Sequence, residues 1–597
     1  MKNIKNVKTF LKLSSWTTGF FALPLGFSFI SEQESKKTEN FKNNKVEHIN
    51  VTNLLISNKS DESKTEQINY GVNRFDIFGS FSIDFIKSLK TNLETKLGKQ
   101  IQMKFEEHVG VISIAHVRGI DYMYLLNLID KFFEDTQKEY RKIYNFTTGV
   151  YYDEFVKNKL ANPIVENKSF PDNRYNHSDF ELNMLNSYYF AYVGLDKETR
   201  SNHLRNFINS KLNIGVLEYG VAETHSKAFE WNRKHGNGLW WRNELFYWEK
   251  WSRHATQVAE LIAGKMGINP SLGIVSVELA FNWNGISGEM NYLLKHTNIV
   301  NNSWGLPGYN DNIISKDLLT YNWASKYLDD LIYNNPELIN IVAAGNRFND
   351  GKNDLFEISL SKNSIIVGST DSANLEKKAF YSQIGNDLNH LSVVTPGGYY
   401  WFTDKTQVRE NGQLVEKENY ARGTSFSAPV VAAIAGMLKQ KYRSYFDQGS
   451  DSIIFKSALI TGSRKPKDVK EIYTNETGFG IPDYKKIEKA LQSLILLKST
   501  DKSKNSFNNS RSVYLNKGEK IRSSLAFLYN GTLDKTDIDF YVKNLSGSVI
   551  ASSMSSNKNV EVLEFTVPES GWYTFEAQRF SNNTNQIEVA ITYVKEN

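Results

Sequence analysis

Two short stretches of this chain pair a general base with a nucleophile. His254-Ala-Thr-Gln-Val-Ala-Glu-Leu-Ile-Ala-Gly264 and Gly423-Thr-Ser-Phe-Ser-Ala-Pro429 each open a predicted helix. Hydrolysis by a serine hydroxyl needs that hydroxyl beside a neutral imidazole, a group that fixes the imidazole tautomer, and donors for the oxyanion that develops. Ser425 precedes Pro429 and the apolar run Val430-Val-Ala-Ala-Ile-Ala-Gly436, which predicts a buried helix with Ser425 in its first turn. There the unpaired backbone N–H groups and the positive end of the helix dipole favour negative charge. The helix after His254 keeps Val258, Ala259, Ile262 and Ala263 small or apolar, as close packing on a sheet requires. A residue at the start of such a helix faces the carboxyl ends of the strands, where open parallel sheets place their sites. His225 and His235 have no such context and read as ordinary polar residues.

The elements that must position these residues are short Val/Ile-rich runs at Asn213–Leu217, Gly273–Leu279, Ile299–Ser303, Leu338–Ala343, Ser364–Ser369 and Leu391–Val394. Runs of this kind, alternating with helices such as Ala255–Met266 and Ser315–Tyr333, predict an α/β domain with a doubly wound parallel sheet. Glu218 is the acid that directly ends an apolar strand in this stretch, and no aspartate occurs between Asp196 and Asp311.

The histidine and serine stretches resemble signatures of the subtilisin-like serine proteases, and further matches follow in that family's chain order from Asn213 to Leu491. Ile214-Gly-Val-Leu-Glu218-Tyr-Gly220 resembles the family's first-strand motif with glutamate in place of aspartate. The resemblance implies that Glu218 orients His254, that Ser425 is the nucleophile, and that Asn346, in Ile341-Val-Ala-Ala-Gly-Asn346, donates to the oxyanion beside the Ser425 N–H. It also implies that Ser303, Trp304 and Gly305 pair with an extended substrate backbone, and that Trp304 with Ala343, Ala344 and Gly345 lines the first, apolar substrate pockets. No metal is implied in the chemistry; many subtilases bind calcium, and no ligand-spaced loop places it here.

Length and composition set the surroundings. The 597 residues are too many for one core, and Lys+Arg 71 against Asp+Glu 66 is too even for a dedicated nucleic-acid binder. The absence of cysteine removes disulfides and thiolate metal sites. Lys2, Lys5, Lys8 and Lys12 ahead of the apolar stretch Trp16–Ile30 read residues 1–30 as an export signal or an uncleaved anchor, which predicts a secreted or cell-surface protein with membrane association through that segment. Residues 31–68 read as a polar tether, and 69–155 as an α+β plait in the place of a subtilase propeptide, either removed or retained as a surface domain. A linker follows at 156–182, the subtilisin-like domain at 183–498, a second linker at 499–512, and an antiparallel β-sandwich at 513–597.

These readings converge on an exported serine endopeptidase acting on proteins or peptides. A surface protein that keeps the fold without turnover and binds host or environmental proteins is the alternative, which the change at Glu218 permits. Trp231, Trp240, Trp241, Trp248 and Trp251, between Glu218 and His254, read either as local core or as an exosite.

Overall fold

The computed structural model describes residues 74–115, 119–138, 140, 142–146, 165–168, 186–243, 251–279, 286–305, 321, 323–346, 354–386, 388, 390–410, 413–499, 510–530, 537–580 and 587–596. The expected signal or anchor and the tether lie outside them. No helix of the described residues is long and apolar enough to cross a membrane.

The first folded unit is a four-stranded antiparallel sheet of order β2-β3-β1-β4, built from β1 (Arg74–Phe78), β2 (Met103–Glu106), β3 (Val111–Ala115) and β4 (Lys142–Phe146). Helices Ile83–Leu97 and Tyr122–Asp135 enclose a separate core with it around Phe75, Ile77, Leu89, Ile112 and Ile129. Residues of alternating strand positions point the other way: Phe78, Val111 and Tyr144 join the central core of the molecule. Along that seam Tyr144 donates to Asp330 at 2.5 Å and Tyr327 to Asp76 at 3.2 Å, so helix Trp323–Asn334 lies against the sheet.

The central unit is an eight-stranded sheet of order β12-β11-β10-β9-β6-β8-β7-β5. Its strands are β5 (Val165–Lys168), β6 (Asn213–Glu218), β7 (Leu239–Asn243), β8 (Gly273–Glu278), β9 (Ile299–Asn302), β10 (Ile339–Ala343), β11 (Ile365–Thr370) and β12 (Val393–Pro396). All but β5 run parallel. Every residue of β8, β9, β10, β11 and β12 is buried, the mark of a sheet covered on both faces. The six apolar runs read from the sequence coincide with β6 and β8 to β12, while β7 and β5 extend the sheet beyond them. β6 lies between β9 and β8, so the direction of strand addition reverses at its edge, and ligands of open α/β sheets bind outside the carboxyl ends at such a point.

A hairpin that the sequence reading leaves out, β13 (Tyr400–Glu410) and β14 (Gln413–Ala421), links β12 to helix Thr424–Lys441. At the C-terminus two four-stranded antiparallel sheets share a core of Leu515, Leu525, Phe540, Phe575 and Ile591. Residues 495–498, read from sequence as the end of the catalytic domain, and Ser499, read as the start of the linker, form a strand that pairs with Ile587–Glu596 and buries Ile495, Leu497 and Ser499 on one face.

Candidate active site

Glu218 is the last residue of β6 and is 2% exposed. His254 stands in the first turn of helix Arg253–Ala263, which Ser252 caps by accepting from the Ala255 N–H at 3.2 Å. The helix buries every residue from Ala255 to Ala263, which fixes the imidazole at its exposed end. Nδ1 of His254 lies 3.2 Å from Oε2 of Glu218. The extra methylene of glutamate therefore still brings a carboxylate to the ring, while Oε1, also buried, has no partner among the described residues. Burial pulls the His254 pKa down, but the charge and hydrogen bond of Glu218 outweigh it and leave the imidazole more basic than usual.

Ser425 is the second residue of helix Thr424–Lys441. Pro429, inside that helix, has no N–H to offer the carbonyl four residues earlier, which is that of Ser425. The freed carbonyl accepts from the Ser303 hydroxyl at 2.9 Å, and the Ser425 hydroxyl donates in return to the Ser303 carbonyl at 3.1 Å. This reciprocal pair ties the Ser425 turn to the end of β9. The hydroxyl is engaged by the Ser303 carbonyl, and among the described residues it makes no hydrogen bond to the His254 imidazole. The two helix starts are adjacent nonetheless: the His254 and Phe426 ring centroids are 5.6 Å apart.

Asn346 follows β10, and its Oδ1 accepts from the Thr424 backbone N–H at 2.8 Å and from the Thr424 hydroxyl at 3.0 Å. The same hydroxyl accepts from the Gly345 N–H at 3.1 Å. With the oxygen held, Nδ2 is left to donate beside the Ser425 turn, where a Cβ on Gly423 would stand 3.3 Å from it. Thr424, which the sequence reading passes over although it stands between Gly423 and Ser425, thereby ties Gly345 and Asn346 to the start of the Ser425 helix.

Among the residues expected to hold substrate, Ser303 is buried and Gly305 exposed at the end of β9, and Ala343, Ala344 and Gly345 run along the end of β10. Trp304 is 6% exposed: its indole N–H donates to Asn302 at 3.1 Å and its ring meets Tyr219 at 5.9 Å, so its side chain is packed inward. Of the tryptophan cluster, Trp231 stacks on His235 at 4.0 Å and Trp251 meets His225 edge-on at 6.3 Å, so both of these histidines serve local packing. Trp248 and the side chains of Trp240 and Trp241 lie outside the described residues. No cluster of three or more His, Asp or Glu arranged for a metal ion occurs among the described residues.

The model of the subtilase family, peptidase S8, matches residues 174–482, more than half of the chain. The chain belongs to the subtilase family. Family membership makes it a serine protease with protein or peptide substrates. Solved structures similar to this subtilase include fervidolysin from Fervidobacterium pennivorans, a keratinolytic enzyme related to subtilisin, at 13% identity over 86% of this chain and 87% of that one, TM-score 0.41. The prenylagaramide maturation protease PagA is similar at 20% identity over 48% of this chain and 98% of its own, TM-score 0.34. The patellamide maturation protease PatA is similar at 17% identity over 47% and 97%, TM-score 0.34. No curated protein matches the chain.

Proposed function

We propose that this subtilase is an exported endopeptidase that hydrolyses peptide bonds with Ser425 as nucleophile, His254 as base, Glu218 as orienting carboxylate and Asn346 as oxyanion donor. The observation that carries the reading is the Glu218–His254 contact of 3.2 Å at the reversal point of the sheet, beside the Ser425 turn. Glu218 holds the proton on Nδ1, leaving Nε2 free to accept the Ser425 proton as Oγ bonds to the substrate carbonyl. The carbonyl oxygen becomes an anion facing Asn346 Nδ2 and the Ser425 N–H. His254 then returns its proton to the leaving amine as the C–N bond breaks, and water hydrolyses the resulting ester by the same route. For the first step the Ser425 hydroxyl must rotate from the Ser303 carbonyl to the imidazole, a tightening that substrate commonly induces.

The α+β unit at 74–146 acts as a propeptide in this reading, supported by its place ahead of the protease domain and its buried seam with helix Trp323–Asn334. The basic and apolar start of the chain supports export. A fluorophosphonate probe is expected to label Ser425 in the wild type and not in His254→Ala. Absence of labelling in folded wild-type protein would defeat the reading. N-terminal sequencing of the secreted form would show where signal and propeptide are cut.

A further inference from the structure

Three residues ahead of the nucleophile, the exposed side chain of Arg422 lies in a collar of aromatic rings. Its guanidinium carbon is 5.2 Å from the ring centroids of Phe380 and Tyr399 and 5.9 Å from that of Tyr381. Nη1 donates to the Tyr399 hydroxyl at 2.6 Å. Phe380 is 54% exposed and Tyr399 39%, and Tyr420, whose ring is 5.7 Å from that of Tyr399, is 56% exposed. Large apolar faces seldom stay this open beside a crevice without something to cover them. Tyr399 also has φ of 51°, a left-handed conformation that a bulky residue adopts at a cost, of the kind concentrated at ligand clamps. The loop that carries it is bonded to the nucleophile's turn, since the Gly423 N–H donates to the Gly397 carbonyl at 2.7 Å. The patch is therefore rigidly continuous with Ser425.

Arg422 makes no ion pair with an acid among the described residues. Its ring contacts and its bond to Tyr399 hold the exposed guanidinium in place, and its side chain makes no other hydrogen bond among the described residues. A pre-oriented planar cation of this kind matches a carboxylate in a bidentate pair. The strand order sets which part of a substrate meets it. Ser303 follows β9, Asn346 follows β10, and Tyr399 follows β12, so the collar lies beyond Asn346 from Ser303. A chain whose acyl part is held at the end of β9 and passes Ser425 carries its leaving part to the β11–β12 side.

We propose that Arg422 and its aromatic collar form a subsite that selects an aspartate or glutamate within the first three residues after the scissile bond. The proposal rests on the reading of Ser425 as nucleophile. Its test is a set of fluorogenic peptides that are identical up to the scissile bond and carry Asp, Gln or Lys at each of the next three positions. Wild-type kcat/KM is expected to be about tenfold higher for Asp than for Lys at one position, through KM, and the ratio to shrink as salt screens the pair. Arg422→Glu is expected to invert the preference and Arg422→Gln to flatten it. Equal rates for Asp and Lys at all three positions, or an acidic preference that survives in Arg422→Glu, would overturn the proposal. Fluorophosphonate labelling of each variant separates the two readings: labelled enzyme without the preference overturns this subsite alone, whereas unlabelled wild type overturns both.

Discussion

Glu218 holds the His254 imidazole by one carboxylate oxygen, with the other buried and unpartnered among the described residues, so in the proposed mechanism its length and charge should each be visible in kinetics. Removing one methylene withdraws the carboxylate by roughly 1.5 Å, which takes a 3.2 Å contact out of hydrogen-bond range. Glu218→Asp is therefore expected to lower kcat about tenfold or more with KM little changed. Glu218→Gln keeps the length and removes the charge, and a loss of about 10³–10⁴-fold is expected by comparison with other triads. Glu218→Ala with wild-type kcat would end the assignment. The pH profile adds a second readout. Because the base must be neutral, kcat/KM should rise through the His254 pKa, which Glu218 holds above the ordinary value of about 6.5. In Glu218→Gln burial acts alone, and the acid limb should move to lower pH. Stability runs the opposite way: the contribution of a raised folded-state pKa is complete below the unfolded value and fades as pH rises through the folded one. At the oxyanion, Asn346→Ala should cost about 10²–10³ in turnover, the loss known for such a donor in a subtilisin.

Elements, rather than residues, decide whether the proposed base and nucleophile keep their distance, and here the hairpin β13–β14 acts as a brace. Glu260, on the His254 helix and 1% exposed, accepts from the Thr403 N–H at 3.0 Å and from the Thr403 hydroxyl, while Asp404 accepts from Ser226 at 2.5 Å. Phe402 of the hairpin meets Phe426 at 5.5 Å, and Phe426 meets His254. Burial, opposed by the Thr403 hydrogen bonds and reinforced by Asp404, pushes the Glu260 pKa up to about 7. The folded state thus holds a proton that the unfolded chain has released, so stability falls as pH rises from about 4.5 to about 7, by about 3 kcal/mol. Glu260→Gln should flatten the dependence of Tm on pH between 5 and 8, and an unchanged slope would count against the brace. None of this is legible in the sequence, because the hairpin's run Thr403-Asp-Lys-Thr-Gln-Val-Arg-Glu410 is too polar to read as strand. β6 and β8 to β12 are legible because buried parallel strands are continuous apolar runs, whereas Leu239-Trp-Trp-Arg-Asn243 of β7 mixes ring, charge and amide. His254, Ser425 and Asn346 stand out through their neighbours in the chain. The Ser303–Ser425 exchange does not, since it depends on a carbonyl that Pro429 frees and on a strand more than a hundred residues away.

For the molecule as a whole, the position of the C-terminal sheets matters more than their fold. Ala526, Val560, Val562, Ala590 and Val594 belong to the same buried cluster as the catalytic sheet, and polar groups fill the seam around them. Ser457 donates to the Ser524 carbonyl at 3.0 Å, Arg522 to the Phe479 carbonyl at 2.8 Å, and Asn363 to the Tyr529 carbonyl at 2.7 Å. Lys456, 1% exposed, donates to the Ser364 carbonyl and to Asn559 across the seam, both at 3.2 Å. Burial, with the nearby charge of Lys362, drags its ammonium pKa down to about 7 against the pull of Asp329, and a buried amine of this kind needs such acceptors for its N–H groups. Helix Asp451–Thr461 buries all of its residues and cannot face water on its outer side. The β-sheets are thus a wall of the protease, and cutting the chain before Ile495 would expose apolar surface and strip Lys456 of Asn559. Calorimetry of the full chain should show residues 186–596 unfolding in one cooperative transition, and a chain ending at Leu494 should fail to label with a fluorophosphonate. Two separated transitions, together with a shortened chain that labels at the wild-type rate, would show that the sheets are an appendage after all.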